Sequence, residues 1–294
     1  MAQILITGGT GFIGKHLIRR LIKTGHNVTA LIRPTSEVKD TPSITYRVYE
    51  GTYASVEAVF QKQSFDTVIH LASLAQYDCS PEQIAPMIET NITLGTLLLQ
   101  AMKQYGCSHF INTSTYWQHY RGEAYQPICL YAATKKAFED IIDFYTLDGT
   151  IRAISLTLYD VYGYEDPRNK LLNLLIKNRH VGKSFDLSPG EQKLQMTFID
   201  DVVDAYIQAM NFLPNTPKNH TIYGVYGQGT YTLKDIVAML ETLTGAPFSI
   251  QWGQKAYYPF QIMDPSFGKK LPHWEAKVSL KEGLSIILEK EAAS

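Results

Sequence analysis

The chain has 294 residues, 45% of them hydrophobic and 19% charged, with a formal net charge of −1. That balance disfavours a disordered chain, a collagen-like repeat and a polyanion binder, and the length suffices for one large domain or two unequal lobes. The three scattered cysteines, Cys79, Cys107 and Cys129, favour neither a disulfide framework nor a zinc site and fit a reducing, cytoplasmic setting. No apolar run reaches the ~20 residues of a membrane span, and a strand around Ile4-Leu5-Ile6 opens the chain where a signal peptide would stand. Neither a membrane nor a nucleic-acid partner is expected.

In chain order, the hydrophobic pattern predicts a strand over Gln3–Thr7 and a helix over 14–24, with Leu17, Ile18, Leu21 and Ile22 on its apolar side. A strand over Asn27–Ile32, a helix over 55–63 and a strand over 67–71 follow. Then come a long helix over 87–105, a strand over 109–112, a helix over 131–145 and a strand over Arg152–Leu158. This alternation predicts an α/β protein with a doubly wound parallel sheet, helices on both faces and right-handed crossovers. The second half is less regular, punctuated by Gly163, Pro167, Pro189 and Gly190. Residues 1–163 are expected to form a dinucleotide-binding domain to which 196–225 return, with 164–195 and 226–294 as a smaller substrate lobe.

The first strand runs into TGGTGFIG at 7–14, where Gly8, Gly11 and Gly14 follow the GxxGxxG spacing. One glycine permits the tight turn, another lets a pyrophosphate approach the backbone, and the third allows close helix–strand packing, with the phosphates at the helix N-terminus. Lying between a predicted strand and a predicted helix, the loop marks a Rossmann-type site. Gly8, Thr10, Gly11, Phe12, Ile13 and Gly14 are its cofactor-binding candidates. The second strand ends in Ile32-Arg33-Pro34-Thr35-Ser36 without a carboxylate. An acid there would hold the ribose 2′-hydroxyl of NAD and repel the 2′-phosphate of NADP, whereas Arg33 can pair with that phosphate, helped by Thr35 and Ser36. NADP is the expected cofactor, with NAD as the alternative.

Tyr131 and Lys135 stand four residues apart, on one face of a predicted helix. A phenol is a poor acid–base group at neutral pH unless perturbed, and a neighbouring ammonium favours its ionised form. The strand before this helix delivers a hydroxyl run, Thr113-Ser114-Thr115, able to hold a substrate oxygen. Together with the glycine loop these residues point to NAD(P)-dependent carbonyl chemistry.

The chain resembles the extended short-chain dehydrogenase/reductases of the NAD-dependent epimerase/dehydratase family, most of which act on nucleotide-activated sugars. The resemblance runs through TGGTGFIG at 7–14, VIHLAS at 68–73, Asn91, INTST at 111–115, YAATK at 131–135, VYG at 161–163, FIDDVVDAY at 198–206 and WEAKVSLKEGL at 274–284. It implies that Tyr131 exchanges the proton, Lys135 binds the nicotinamide ribose and Thr115 is the catalytic hydroxyl, with Ser114 as runner-up and substrate contact. It implies that Leu71, Ala72 and Ser73 line the cofactor, that Asn91 supports the strand end, and that Thr52, beside Tyr53, replaces an Asp against the adenine. A homodimer through the 87–105 and 131–145 helices is also implied, although the stripe Met87, Leu94, Leu98 and Ala101 equally suits a core-facing helix.

The 4,6-dehydratases of this family carry an Asp-Glu pair directly after the catalytic threonine. Here Tyr116-Trp117 stands in that place, leaving elimination of water without its acid–base pair; Glu123 is a weak substitute. The pattern is closest to 4-ketoreductases of nucleotide-linked deoxysugars, with an NAD-retaining 4-epimerase as the alternative and a non-catalytic NADP sensor as a reading of another class. The family's diphosphate-gripping arginine is missing: Leu194 occupies its place in Gln192-Lys193-Leu194-Gln195-Met196. Asp160 stands where many relatives have Asn facing the phosphates. Lys170, with Arg168 and Lys193, is the remaining source of positive charge.

Overall fold

The structure is a computed structural model describing residues 1–38, 43–179 and 184–292; the parts of the expected substrate lobe at 180–183 and 293–294 lie outside the described residues. The elements run β1 (Gln3–Thr7), α1 (Phe12–Lys23), β2 (Asn27–Ile32), β3 (Ile44–Val48), α2 (Tyr53–Lys62), β4 (Thr67–His70), α3 (Pro81–Ile88) and α4 (Leu94–Tyr105). There follow β5 (His109–Thr115), α5 (Leu130–Thr146), β6 (Arg152–Leu158), β7 (Asp160–Tyr162), α6 (Leu171–Lys177), β8 (Phe185–Leu187), β9 (Lys193–Leu194) and β10 (Met196–Phe198). The chain closes with α7 (Ile199–Phe212), β11 (His220–Val225), β12 (Tyr231–Thr232), α8 (Leu233–Thr244), β13 (Ile250–Trp252) and α9 (Leu280–Ala292).

Seven parallel strands form the main sheet in the order β11-β6-β5-β4-β1-β2-β3. Side chains alternate across it. Ile4 and Ile6 join one apolar cluster with α1 and α7, while Leu5 joins the other with α2, α4 and α5. Both faces are covered, which is why β1, β4 and β6 read as nearly continuous apolar runs. Strand order reverses between β1 and β4, and the carboxyl ends of strands at such a reversal open a crevice that takes ligands. The first cluster continues without a break into α8 and α9. Gly283 on α9 packs so tightly against the ring edges of Tyr162 and Phe198 that a Cβ would lie 2.8 Å from a Phe198 ring carbon.

Two strands of the main sheet escaped the sequence pattern, as did the short strands β7 to β10, β12 and β13 outside it. β3 is half-exposed and lacks alternation, and β11 carries Gly224 in its interior. The predicted 87–105 helix begins six residues earlier, at Pro81, and widens into a π-helical turn over Glu89–Thr93 before continuing as α4. The stripe Met87, Leu94, Leu98 and Ala101 is buried, and its last three members pack in the cluster with Leu5, Val68 and Phe110 of the sheet, so they serve the core. Edge strand β11 is fastened by side chains. His220 donates from Nδ1 to Asp143 (2.7 Å) and accepts at Nε2 from Ser155 Oγ (2.8 Å), which itself accepts from Asn112 (3.0 Å). The connectivity copies that of a hydrolase triad, but Ser155 is fully buried and unavailable to any substrate.

The segment after β7 is folded back by Arg168. Its Nε and Nη2 donate to the two oxygens of Asp166 at 2.6 Å each, Nη2 also reaches Val161 O at 3.0 Å, and the guanidinium lies 4.5 Å above the Phe12 ring. Burial alone raises the Asp166 carboxyl, but the hydrogen bonds and charge of Arg168 outweigh it and hold the group below its ordinary value.

Two predictions follow from this packing. Gly14→Ala would press a Cβ against Gly8 O and to 2.7 Å from Gly9 Cα, costing about 1–3 kcal/mol by overpacking; a wild-type urea midpoint would refute the tight approach. Arg168→Ala strands a buried carboxylate and should cost about 2 kcal/mol at neutral pH. The Asp166 carboxyl is depressed when folded, so its stabilisation is full above the ordinary carboxylate value and is lost as pH falls through the depressed one. The deficit of the variant should therefore shrink on acidification, and a pH-independent deficit would contradict the pairing.

Candidate active site

The crevice between β1 and β4 is built by backbone proximity. Gly8 adopts φ +70°, and a Cβ there would stand 2.6 Å from Ala72 N. Gly11 N donates to Gly8 O at 3.0 Å, and Gly11 caps α1 with no side chain of its own and no acid in the first turn. The unpaired N–H groups of this helix start are therefore open to an anion. A groove of about 300 Å³ follows, walled by Gly8, Thr10, Gly11, Arg33, Ser36, Leu71, Ala72 and Ser73. It meets an inner cavity of about 360 Å³ whose walls include Gly8, Gly11, Phe12, Ile13, Gly14, Leu71 and Ser73. Among the described residues, no hydrogen bond or ion pair restrains the Arg33 guanidinium; its backbone alone is held, the N–H by Ser36 Oγ at 3.2 Å and the carbonyl by Ser36 N at 3.0 Å. Lys135 Nζ is buried without a hydrogen-bond partner among the described residues. A glycine cradle at a helix start, a free guanidinium at the outer end and an orphaned ammonium at the inner end suit a dinucleotide.

The inner cavity also holds the hydroxyl groups. β5 pairs with β6 as far as Thr115↔Leu158, three residues beyond the predicted end, and so carries Thr115 to the cavity wall. Thr115 Oγ1 accepts from Trp117 N at 3.3 Å, which leaves its proton free to donate. The Tyr131 phenol, at the start of α5, faces the hydroxyls of Ser73 and Thr115. Burial pushes its pKa up to about 12 although both hydroxyls pull it down. A shift of that size disfavours the phenolate by roughly 3 kcal/mol relative to water. Lys135 is pulled down to about 8 by burial, opposed by Glu139. Beneath it His70 is held near 3 by burial and by Lys135, and stays neutral.

Several expected residues land elsewhere. Ser114 borders the cavity, but its hydroxyl donates to Glu139 at 2.5 Å. Thr35 lies outside both cavities, Thr52 caps α2 by accepting from Ser55 N, and the Tyr53 hydroxyl donates to Gln104 on the surface. Asn91 sits in the π-helical turn. It accepts from Leu74 N (2.8 Å) and Ser73 Oγ (3.2 Å) and donates to Leu74 O and Thr134 Oγ1, tying the loop after β4 to α5. Missed by sequence reasoning were Tyr49, which donates to Glu89 across the outer groove, and Glu139. Glu139 follows Lys135 by four residues on one helix face, and that spacing was a usable signal.

The place of a dehydratase acid pair is filled with aromatics. Tyr116 donates to Asp160 at 3.2 Å and stacks on Tyr159 at 4.9 Å, while Trp117 meets the Tyr131 ring edge-on at 5.8 Å. Glu123 is exposed and lines neither cavity. Asp160 and Lys170 stand at the neck between the inner cavity and an apolar side pocket of about 260 Å³ lined by Leu172, Leu194 and Met196. Burial raises the Asp160 carboxyl, against the pull of Lys170. Arg168 is committed to Asp166, and Lys193 is paired with Asp264 at 2.8 Å, so neither is a free counter-charge. Among the described residues no group of three or more His, Cys, Asp or Glu could hold a metal, and no helix is long and apolar enough to cross a membrane.

The chain is similar to known proteins over nearly its whole length. CDP-abequose synthase of Yersinia pseudotuberculosis is 30% identical over 290 residues, spanning 98% of this chain and all of that protein. UDP-arabinose 4-epimerase 1 of Arabidopsis thaliana is 28% identical, spanning 97% of this chain and 78% of its own length. The crystal structure of UDP-glucose 4-epimerase from Thermotoga maritima with UDP-glucose superposes with a TM-score of 0.87 at 24% identity, over 99% of this chain and all of the other. With residues 4–224 matched by the model of the NAD dependent epimerase/dehydratase family, the chain belongs to that family and is an enzyme of NAD(P)-dependent oxidoreductase type.

Proposed function

We propose that the chain is an NADPH-dependent reductase of a keto group on a nucleotide-linked deoxysugar. The observation that carries this reading is the buried, protonated Tyr131 phenol beside Thr115 in a cavity where aromatics replace the carboxylates of an elimination. Similarity over nearly the full chain to CDP-abequose synthase supports the substrate class, and Arg33 without a neighbouring acid supports NADP over NAD. Residues 1–163 and 196–225 would serve the cofactor, and 164–195 and 226–294 the substrate. A cytoplasmic homodimer completes the proposal, with Phe144 and Leu147, 66% and 75% exposed at the end of α5, offering apolar surface for the second subunit.

The glycine loop and helix α1 would hold the pyrophosphate, Arg33 and Ser36 the 2′-phosphate, and Lys135 the nicotinamide ribose. When bound, the dinucleotide supplies a hydride to the carbonyl carbon. Thr115 donates a hydrogen bond to the carbonyl oxygen, and Tyr131 transfers its proton there, so that ketone, hydride and proton become the alcohol. A phenol held near 12 is fully protonated at neutral pH, as a donor must be. Placing two donors on one oxygen in a water-poor cavity is where most acceleration arises. Lys170 would meet the substrate's phosphates as a single point charge. A 4-epimerase retaining NAD is the second reading, favoured by the epimerases among the similar proteins.

The test begins with NADPH and NADH titrations followed by nicotinamide fluorescence. Strong preference for NADPH, reduced about tenfold or more in Arg33→Ala, is expected; equal affinity, or NAD carried through purification, would promote the epimerase. Tyr131→Phe should lower kcat about 10²–10⁴-fold with CDP-, dTDP-, GDP- or UDP-4-keto sugars, read as NADPH consumption. Lys170→Ala should raise KM more than it lowers kcat, and an unchanged KM would remove Lys170 from the substrate site.

A further inference from the structure

Glu139 is a buried carboxylate that the proposed reaction does not use. It is 2% exposed, and a charge in such a place is costly unless it is paired and hydrogen-bonded. Oε1 accepts from Ser114 Oγ at 2.5 Å and from Gln118 Nε2 at 3.3 Å, while Gln118 also donates to Ser114 Oγ at 2.9 Å. The three side chains close a triangle. Ser114 immediately precedes Thr115, and Gln118 lies in the turn that places Trp117 against Tyr131. Glu139 itself belongs to α5, one turn after Lys135 and two after Tyr131. Both walls of the reacting cavity therefore meet at this carboxylate.

The charges around it have a pattern. Among the described residues Lys135 Nζ has no hydrogen-bond partner, and Lys136 Nζ stands 4.0 Å from Glu139 Oε2 but is itself bonded to Asp140 at 2.7 Å. From β4, His70 faces Lys135 and is neutral; from α7, Tyr206 faces Tyr131 and donates toward Thr113. Glu139 is the acid whose charge acts on Lys135. We propose that Glu139 is a positioning residue: one carboxylate fixes the Thr115 strand end against the helix bearing Tyr131 and Lys135, and stands one helical turn from the buried Lys135 as its counter-charge. The inference rests on the reading of Thr115, Tyr131 and Lys135 as the reacting groups.

The experiment follows Lys135 directly. In protein labelled with ¹³C at lysine Cε, the Lys135 resonance, assigned by its loss in Lys135→Arg, is titrated in wild type, Glu139→Gln and Glu139→Asp without cofactor. Glu139→Gln should move the titration to lower pH by about one unit or more. NADPH affinity should then fall at alkaline pH and recover on acidification, because the ammonium is restored. Glu139→Asp keeps the charge but retracts it from Ser114, so it should leave the Lys135 titration near wild type and weaken NADPH-dependent turnover at every pH. If Glu139→Gln fails to fold, Glu139→Asp still tests the first half of the role through turnover. A Lys135 titration unmoved in Glu139→Gln, or an undiminished turnover in Glu139→Asp, overturns the proposal even where urea midpoints fall. Absence of any NADPH binding in wild type would instead overturn the functional reading, while the lysine titration would still decide the role of Glu139.

Discussion

The crevice at the end of β1 is set by a contact that contains no side chain. Gly14 approaches the backbone of Gly8 and Gly9, and Gly8 approaches the backbone of Leu71 and Ala72, at separations that leave no room for a Cβ. The first approach brings the N-terminus of α1 down onto the end of β1. The second brings β4 and its loop against the same turn. Together they place an uncapped helix start at the point where strand order reverses, the position in an open parallel sheet from which a ligand can reach both halves. Asn91 then fixes the far wall by binding the loop after β4 to α5, and the π-helical turn aims that side chain inward.

From there the chemistry follows from burial. A phenol excluded from water stays protonated, and an ammonium excluded from water tends to lose its proton. Tyr131 and Lys135 are pushed in these opposite directions by the same desolvation. For Tyr131 the push suits donation to a carbonyl oxygen. For Lys135 it works against holding a charged side chain beside a cofactor, and Glu139 counters it from one helical turn away. The Ser114 hydroxyl is consumed in satisfying that carboxylate. This separates two neighbouring hydroxyls that look equivalent in a linear sequence: Ser114 serves the scaffold, and Thr115 is free to face the cavity.

The features legible in the sequence were those carried by local pattern. Period-two and period-3.6 hydrophobicity marked most of the sheet and its helices, and the glycine spacing, TST run and Tyr131/Lys135 pair marked the site. What escaped depends on contacts distant in sequence. β3 and β11 are edge strands with partly wet faces, so they lack the apolar signature of β4 and β6. The π-helical turn is set by where Asn91 must reach, which spacing along α3 and α4 does not encode. Thr52 resembled a cofactor contact by position, yet a threonine before a helix is also a preferred cap, and capping won. Arg168 looked like a free cation although Asp166, two residues before it, was within local reach; the distant contact that the fold added is Phe12 beneath the guanidinium.

That commitment of Arg168 shapes what the pocket can recognise. With Arg168 bound to Asp166, Lys193 paired with Asp264 and Leu194 apolar, the neck of the substrate cavity holds Lys170 opposite Asp160. An arginine fork fixes a diphosphate by two parallel hydrogen bonds, whereas a lysine attracts it without fixing its orientation. Orientation must then come from shape: from the stacked Tyr116–Tyr159 pair, from Trp117 and from the apolar walls of the side pocket. The aromatic faces and aliphatic walls suit an apolar face of a ligand, while Asp160, Lys170, Asn173 and Gln192 offer hydrogen bonds to its polar groups along the same walls. On the proposed reading, the aromatic pair Tyr116-Trp117 after Thr115 therefore bears on both the reaction and the way a substrate is oriented.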